Sequence, residues 1–206
     1  MIIMTEENLS NDWEFLINNS PELSTNISKN NKSKNRYSNH FAPDNTLVQL
    51  SNSNYINANH IYINNKEYIV TQAPIPQYID DFWDTIWEKN IDGIVMLTDY
   101  VEKNKTKANE YLPSLNKFVV TGKYIVSCAF RKNIASDIVI STLKIMSFSE
   151  NRIRILYHYF YKGWPDFGVP SLRPNIQKCK FNIFFKVDNL TFYDICSSIF
   201  RLEILK

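Results

Sequence analysis

The sequence predicts a single α/β (α+β) domain with a mixed central sheet flanked by helices, and three observations predict it. A continuous apolar run at Gly93-Ile94-Val95-Met96-Leu97 is what a strand covered on both faces requires. A ten-residue stretch, Arg152–Tyr161, alternates Ile153, Ile155, Tyr157, Tyr159 and Tyr161 against Arg152, Arg154, Leu156, His158 and Phe160, the period of a strand. Between other strand-like runs, Ile79, Phe82, Trp83, Ile86 and Trp87 repeat at helical spacing. Strands with interspersed helices and a late helix give a mixed sheet domain.

Taken in order, Thr5 caps a helix through about Asn18, with Glu6 and Glu7 in its first turn and Leu9, Trp13, Leu16 and Ile17 on one face. Ser20-Pro21 ends it. Ser24 to Asn35 is polar and basic and reads as a linker with little to bury, so residues 1–33 form a helix plus linker and the domain proper starts near Lys34. Short strands are expected at Leu47–Leu50, Tyr55–Ala58 and Tyr68–Thr71. Pro74 and Pro76 lead into the helix with the aromatic stripe, whose apolar face points at the core. Gly93–Leu97 is expected centrally in the sheet, and further strands at Phe118–Ser127, Asp137–Phe148 and Arg152–Tyr161. After Pro170, Ile176, Cys179, Ile183 and Val187 mark another helical face.

The 206 residues, 44% hydrophobic, suffice for one sizeable core. Twenty-three Lys and Arg against 21 Asp and Glu leave +2, too balanced for a protein devoted to nucleic acid. No apolar stretch reaches the roughly 20 residues of a membrane span, and Thr5-Glu6-Glu7 comes too early for a secretory signal, so a cytoplasmic chain without membrane insertion is expected. Cys128, Cys179 and Cys196 lack paired spacing and read as free thiols. His40, His60 and His158 show no ligand or triad spacing, so no metal and no cofactor is expected, and His158 within an aromatic strand reads as structural. The 25 Asn, scattered beside abundant Ile, Lys, Tyr and Phe, read as AT-rich coding bias.

The most specific segment is Gly163-Trp164-Pro165-Asp166-Phe167-Gly168-Val169-Pro170. An Asp between Pro and an aromatic, with a Gly hinge, suits a mobile loop that carries a carboxylic acid to a leaving group. It resembles the acid-bearing loop of protein tyrosine phosphatases. The resemblance extends in order along residues 34 to 170. Lys34-Asn35-Arg36-Tyr37 is similar to the family's phosphotyrosine-recognition loop, Tyr55-Ile56-Asn57-Ala58 and Thr71-Gln72-Ala73-Pro74 to two framework motifs, Asp81-Phe82-Trp83 with Trp87 to the helix, and Val95-Met96-Leu97-Thr98 to the following strand.

By that resemblance Tyr37 stacks on the substrate ring, Asp166 is the general acid, Glu102 orients the catalytic Arg and Lys107 lies near the acid loop. Residues 34–206 are then an incomplete tyrosine phosphatase-like domain. Departures are Asn39 in place of an Asp that grips the substrate backbone, Ala73 in place of a Gly, and Ala108 and Leu112 in place of a Cys and a Trp. The family's nucleophile is a Cys in a His-Cys-x5-Arg loop, which needs glycines so that backbone N–H groups converge on phosphate. No glycine lies beyond Gly168, and the nearest candidate, Cys196 with Arg201, has four intervening residues and no preceding His. The reading therefore finds no nucleophile, and Asp166 is a vestigial acid.

The coding bias and degenerate motifs resemble the tyrosine phosphatase-like proteins of polydnaviruses (bracoviruses) of parasitic wasps. That resemblance implies a catalytically inactive viral modulator of host tyrosine-phosphorylation signalling or immune-cell adhesion, acting in host cytoplasm. Its partners would be host proteins, tyrosine-phosphorylated ones among them. Two alternatives stand beside it: an active phosphatase using Cys196 and Arg201, and a decayed, non-functional fragment.

Overall fold

The computed structural model describes residue 18 and residues 21–63 and 66–162. The expected helix Thr5–Asn18, the acid loop around Asp166 and the late helix after Pro170 lie outside the described residues, Asn18 excepted.

Ser24 to Asn35, expected as linker, instead folds into helix α1 (Asn26–Asn30) and a 3-10 turn at Lys32–Lys34. The missing information was a tertiary cap. Asp44, 18 residues on, accepts hydrogen bonds from the N–H groups of Asn26 (2.9 Å) and Ile27 (3.1 Å), satisfying donors that the helix cannot. A further bond from the Ser24 hydroxyl holds the Asp44 carboxyl below its ordinary pKa. Ser28 on α1 is fully buried.

The hairpin β1 (Ala58–Ile63) and β2 (Lys66–Thr71) is antiparallel, Ala58 opposite Thr71. Its first strand starts three residues later than expected because Ala58 N–H closes a tight turn onto the Ile56 carbonyl (2.9 Å). In the segment Leu47–Leu50, Leu47, Val48 and Leu50 are buried, but it is not a strand. Leu47 makes one isolated bridge to Asn59, so that run is core without a ladder.

Helix α2 (Ile79–Glu88) buries Phe82, Trp83, Ile86 and Trp87 as the stripe predicts. It lies on one face of a five-stranded sheet formed by β3 (Gly93–Met96), β6 (Phe118–Thr121), β7 (Tyr124–Asn133), β8 (Ile138–Ser147) and β9 (Arg152–Tyr161), in the order β3-β9-β8-β7-β6. β3 runs parallel to β9 and the other pairs are antiparallel, so the sheet is mixed. The core joins α2 to Ile94, Met96, Tyr124, Val126, Cys128, Leu143, Ile145, Leu156 and Phe160. Arg154 reaches from β9 to the helix end, donating to the carbonyls of Trp87 (3.0 Å) and Ile91 (2.9 Å).

Two further strand expectations change. Among the described residues β3 has one neighbour, β9, rather than two; an apolar run reports burial of faces, not the number of partners. Phe118–Ser127 is not one strand but the turn of a hairpin, because Gly122 takes a φ of +53° between β6 and β7. On β9 the alternation is present, but its early aliphatic set faces outward: Ile153 is 60% exposed while Leu156 on the other set is fully buried. Among the described residues, no helix is long and apolar enough to cross a membrane.

Candidate functional site

Tyr37 follows the Lys32–Lys34 turn, and every residue leading to it is tied down. Lys34 Nζ forms an ion pair with Asp81 of α2 (2.8 Å) and lies over the Tyr78 ring. Asn35, nine-tenths buried, is the node of a polar cluster. Its side-chain oxygen accepts from the Tyr55 hydroxyl (2.7 Å) and Asn57 Nδ2 (2.9 Å), and its Nδ2 donates to the Ser28 carbonyl (2.8 Å). Burial raises the Tyr55 pKa, which keeps that hydroxyl a donor.

Arg36 is held by Gln72 Oε1 at its backbone N–H (2.8 Å), by the carbonyls of Ala73 (3.1 Å) and Pro74 (2.8 Å), and by Asn109 Oδ1 (2.9 Å). Gln72 also donates back to the Lys34 carbonyl (2.7 Å). With its guanidinium spent on framework atoms, Arg36 is structural. Tyr37 itself projects, 40% exposed, with its ring edge-on to His40 at 5.4 Å. Asn57 donates to the His40 carbonyl (3.1 Å), so the same amide that meets Asn35 also fixes the far side of the loop. The loop is a pre-ordered platform that exposes the Tyr37 ring.

Glu102 ends strand β4 (Val101–Glu102), which pairs with β5 (Lys105–Thr106) through a two-residue turn where Lys103 and Asn104 take φ of 47° and 62°. Lys107 follows β5, its N–H bonded to the Tyr100 carbonyl (2.9 Å). The Arg36 to Asn109 bond brings the Tyr37 loop to the segment that carries Lys107. Asp166, Cys196 and Arg201 lie outside the described residues, as does Cys179. Cys128 is a buried free thiol.

His158 faces the core, where its Nε2 meets the Tyr111 hydroxyl at 2.7 Å. Burial pushes its pKa down to about 3, so it stays neutral. Among the described residues no group of His, Cys, Asp or Glu is arranged to hold a metal. Sequence reading named Tyr37 but not Ser28, His40, Asn57, Gln72 or Asn109 as its supports. The available signal was that Asn57 and Gln72 sit inside the two motifs read as framework.

The family model described as protein-tyrosine phosphatase matches residues 31–186 of this chain. The chain belongs to the protein-tyrosine phosphatase family. It is 37% identical over 153 residues to human receptor-type tyrosine-protein phosphatase eta, covering 68% of this chain and 11% of that protein. To the tyrosine-protein phosphatase Lar-like of Caenorhabditis elegans it is 36% identical over 149 residues, 68% of this chain and 7% of the other. The chain thus spans about a tenth of the length of these relatives. Its structure resembles the crystal structure of the catalytic domain of human protein tyrosine phosphatase non-receptor type 18, with a TM-score of 0.74 and 28% identity over 81% of this chain and 64% of that one. The mixed α+β phosphatase-like architecture is therefore shared.

Proposed function

We propose that this chain is a tyrosine phosphatase-like binding protein that engages phosphotyrosine-bearing proteins without hydrolysing them. The observation that carries the reading is the contrast between its two halves. The recognition loop is held by a full set of hydrogen bonds around Tyr37, whereas the sequence beyond Gly168 has no glycine with which to form a backbone phosphate cradle and no His-Cys-x5-Arg. A stacked aromatic ring binds a phosphotyrosine ring by its face and reaches deeper than phosphoserine allows. The coding bias and degenerate motifs further support a viral origin of the bracovirus kind, with host cytoplasmic proteins as partners and interference with host phosphotyrosine signalling or immune-cell adhesion as the outcome.

Titration calorimetry with a phosphotyrosine peptide and its phosphoserine twin tests the binding reading. The expected result is heat from the phosphotyrosine peptide alone, lost in Tyr37→Ala with the unfolding midpoint unchanged. Equal binding of both peptides, or binding indifferent to Tyr37→Ala, would overturn it.

A second reading, an active phosphatase using Cys196 and Arg201 with Asp166 as acid, draws support from the named relatives, which are tyrosine phosphatases. It requires hydrolysis that Cys196→Ser abolishes and Asp166→Ala slows.

A further inference from the structure

The face of the five-stranded sheet turned away from α2 is apolar, exposed and basic. The pairing register places Ile153, Met146, Ile125 and Val120 in one cross-strand row, Ile155, Lys144, Ser127 and Phe118 in the next, and Tyr157, Thr142 and Phe130 in a third. Exposure runs high across this band: Phe118 66%, Ile153 and Val120 60%, Phe130 50% and Ile155 43%. Farther along β9 the same face closes, Tyr159 and Tyr161 being buried with Ile138. Four strands and three rows span about 14 Å by 14 Å, the footprint of one helix of about three turns. Contiguous apolar surface of this kind marks an interaction site.

Charge selects the occupant. Lys144 stands exposed in the middle row and Lys132 at the border beside Ile140 and Tyr159, and among the described residues neither is paired with a carboxylate. No Asp or Glu stands in these rows. A second copy would set Lys144 against Lys144 across a symmetric contact. Residues 163–206 carry six Lys and Arg against four Asp and Glu and offer no net negative charge. Residues 1–20 are acidic, but they lead into α1, beyond which Lys34 binds Asp81 of α2, on the opposite side of the sheet.

We infer that this face docks an amphipathic helix of another protein, apolar on the side that meets Ile153, Ile155, Phe118 and Val120 and flanked by Asp or Glu that pair with Lys144 and Lys132. The surface is separate from the Tyr37 loop and does not depend on phosphate.

Fluorescence anisotropy on the full chain tests it with two labelled synthetic 14-residue peptides, both with Leu at helical spacing, one flanked by Glu and the other by Lys. The Glu peptide is expected to bind about tenfold tighter than the Lys peptide, and the double variant Phe118→Ser/Ile155→Ser to weaken it about tenfold, an interface hot-spot effect. These side chains are exposed, so the urea midpoint should hold. Lys144→Glu should reverse the preference between peptides. Equal affinity for both peptides, or affinity unmoved by the substitutions, overturns the proposal. A dimer of the unliganded chain that the double variant dissolves would assign the face to a second copy, and hydroxyl-radical protection of Phe118 and Ile155 in the free monomer would assign it to the chain's own residues; either result also overturns it.

Discussion

Replacing Asn35 by Leu removes the node on which the Tyr37 loop rests while keeping a side chain of similar size. Four hydrogen bonds disappear, those from Tyr55 (2.7 Å), from Asn57 (2.9 Å) and to the Ser28 carbonyl (2.8 Å), and a longer one from Ser28 Oγ (3.4 Å). Tyr55 retains Ser28 Oγ, Asn57 retains the His40 carbonyl and the Ser28 carbonyl retains the Asn31 N–H (3.1 Å), so each partner keeps a hydrogen bond. At about 1 kcal/mol for each of the three short bonds, with the long fourth one adding little, the expected destabilisation is about 3 kcal/mol. Urea unfolding should show a lower midpoint with an unchanged slope. In a cycle with Tyr55→Phe the two losses should fall short of additivity, because both remove the same bond. Phosphotyrosine-peptide binding should weaken as the Tyr37 platform loosens. A loss below about 1 kcal/mol, or strict additivity with Tyr55→Phe, would refute the claim that this cluster organises the loop.

Two further outcomes follow from the core. His158 has its pKa lowered to about 3 by burial, so between the unfolded value near 6.5 and that value the unfolded chain binds one proton more than the folded one. Its contribution to stability is complete above about pH 6.5 and is lost as pH falls toward about 3; urea midpoints across that window should fall less steeply in His158→Gln. Gly122→Ala forces a side chain into φ +53° and puts its Cβ 3.1 Å from Asp80 Cγ, so a loss of about 1–2 kcal/mol is expected in thermal unfolding, from the left-handed backbone.

The elements that sequence reading located well are those whose signal is local. The stripe Ile79, Phe82, Trp83, Ile86 and Trp87 is a helix buried along that face, and the ten-residue alternation is a strand with the same ends, Arg152 and Tyr161. What escaped depends on partners far along the chain. A polar segment became α1 because Asp44 caps it and Ser28 finds buried partners. Period two identifies a strand but does not say which face is covered. On β9 that choice is made by α2 packing on Leu156, which leaves Ile153 and Ile155 outward. At the candidate site, Tyr37 was named from a motif, whereas the residues that hold its loop, Asn57, Gln72 and Asn109, act through side-chain geometry across 22 to 73 residues.

The most direct test of the central claim is one incubation of the purified full chain with a radiolabelled phosphotyrosine peptide, scored for both retained peptide and released phosphate, beside Tyr37→Ala and Cys196→Ser. The account predicts peptide retained by the wild type and by Cys196→Ser, lost in Tyr37→Ala, with phosphate release at the level of buffer in all three. Phosphate released by the wild type and abolished in Cys196→Ser would contradict it and make the chain a phosphatase.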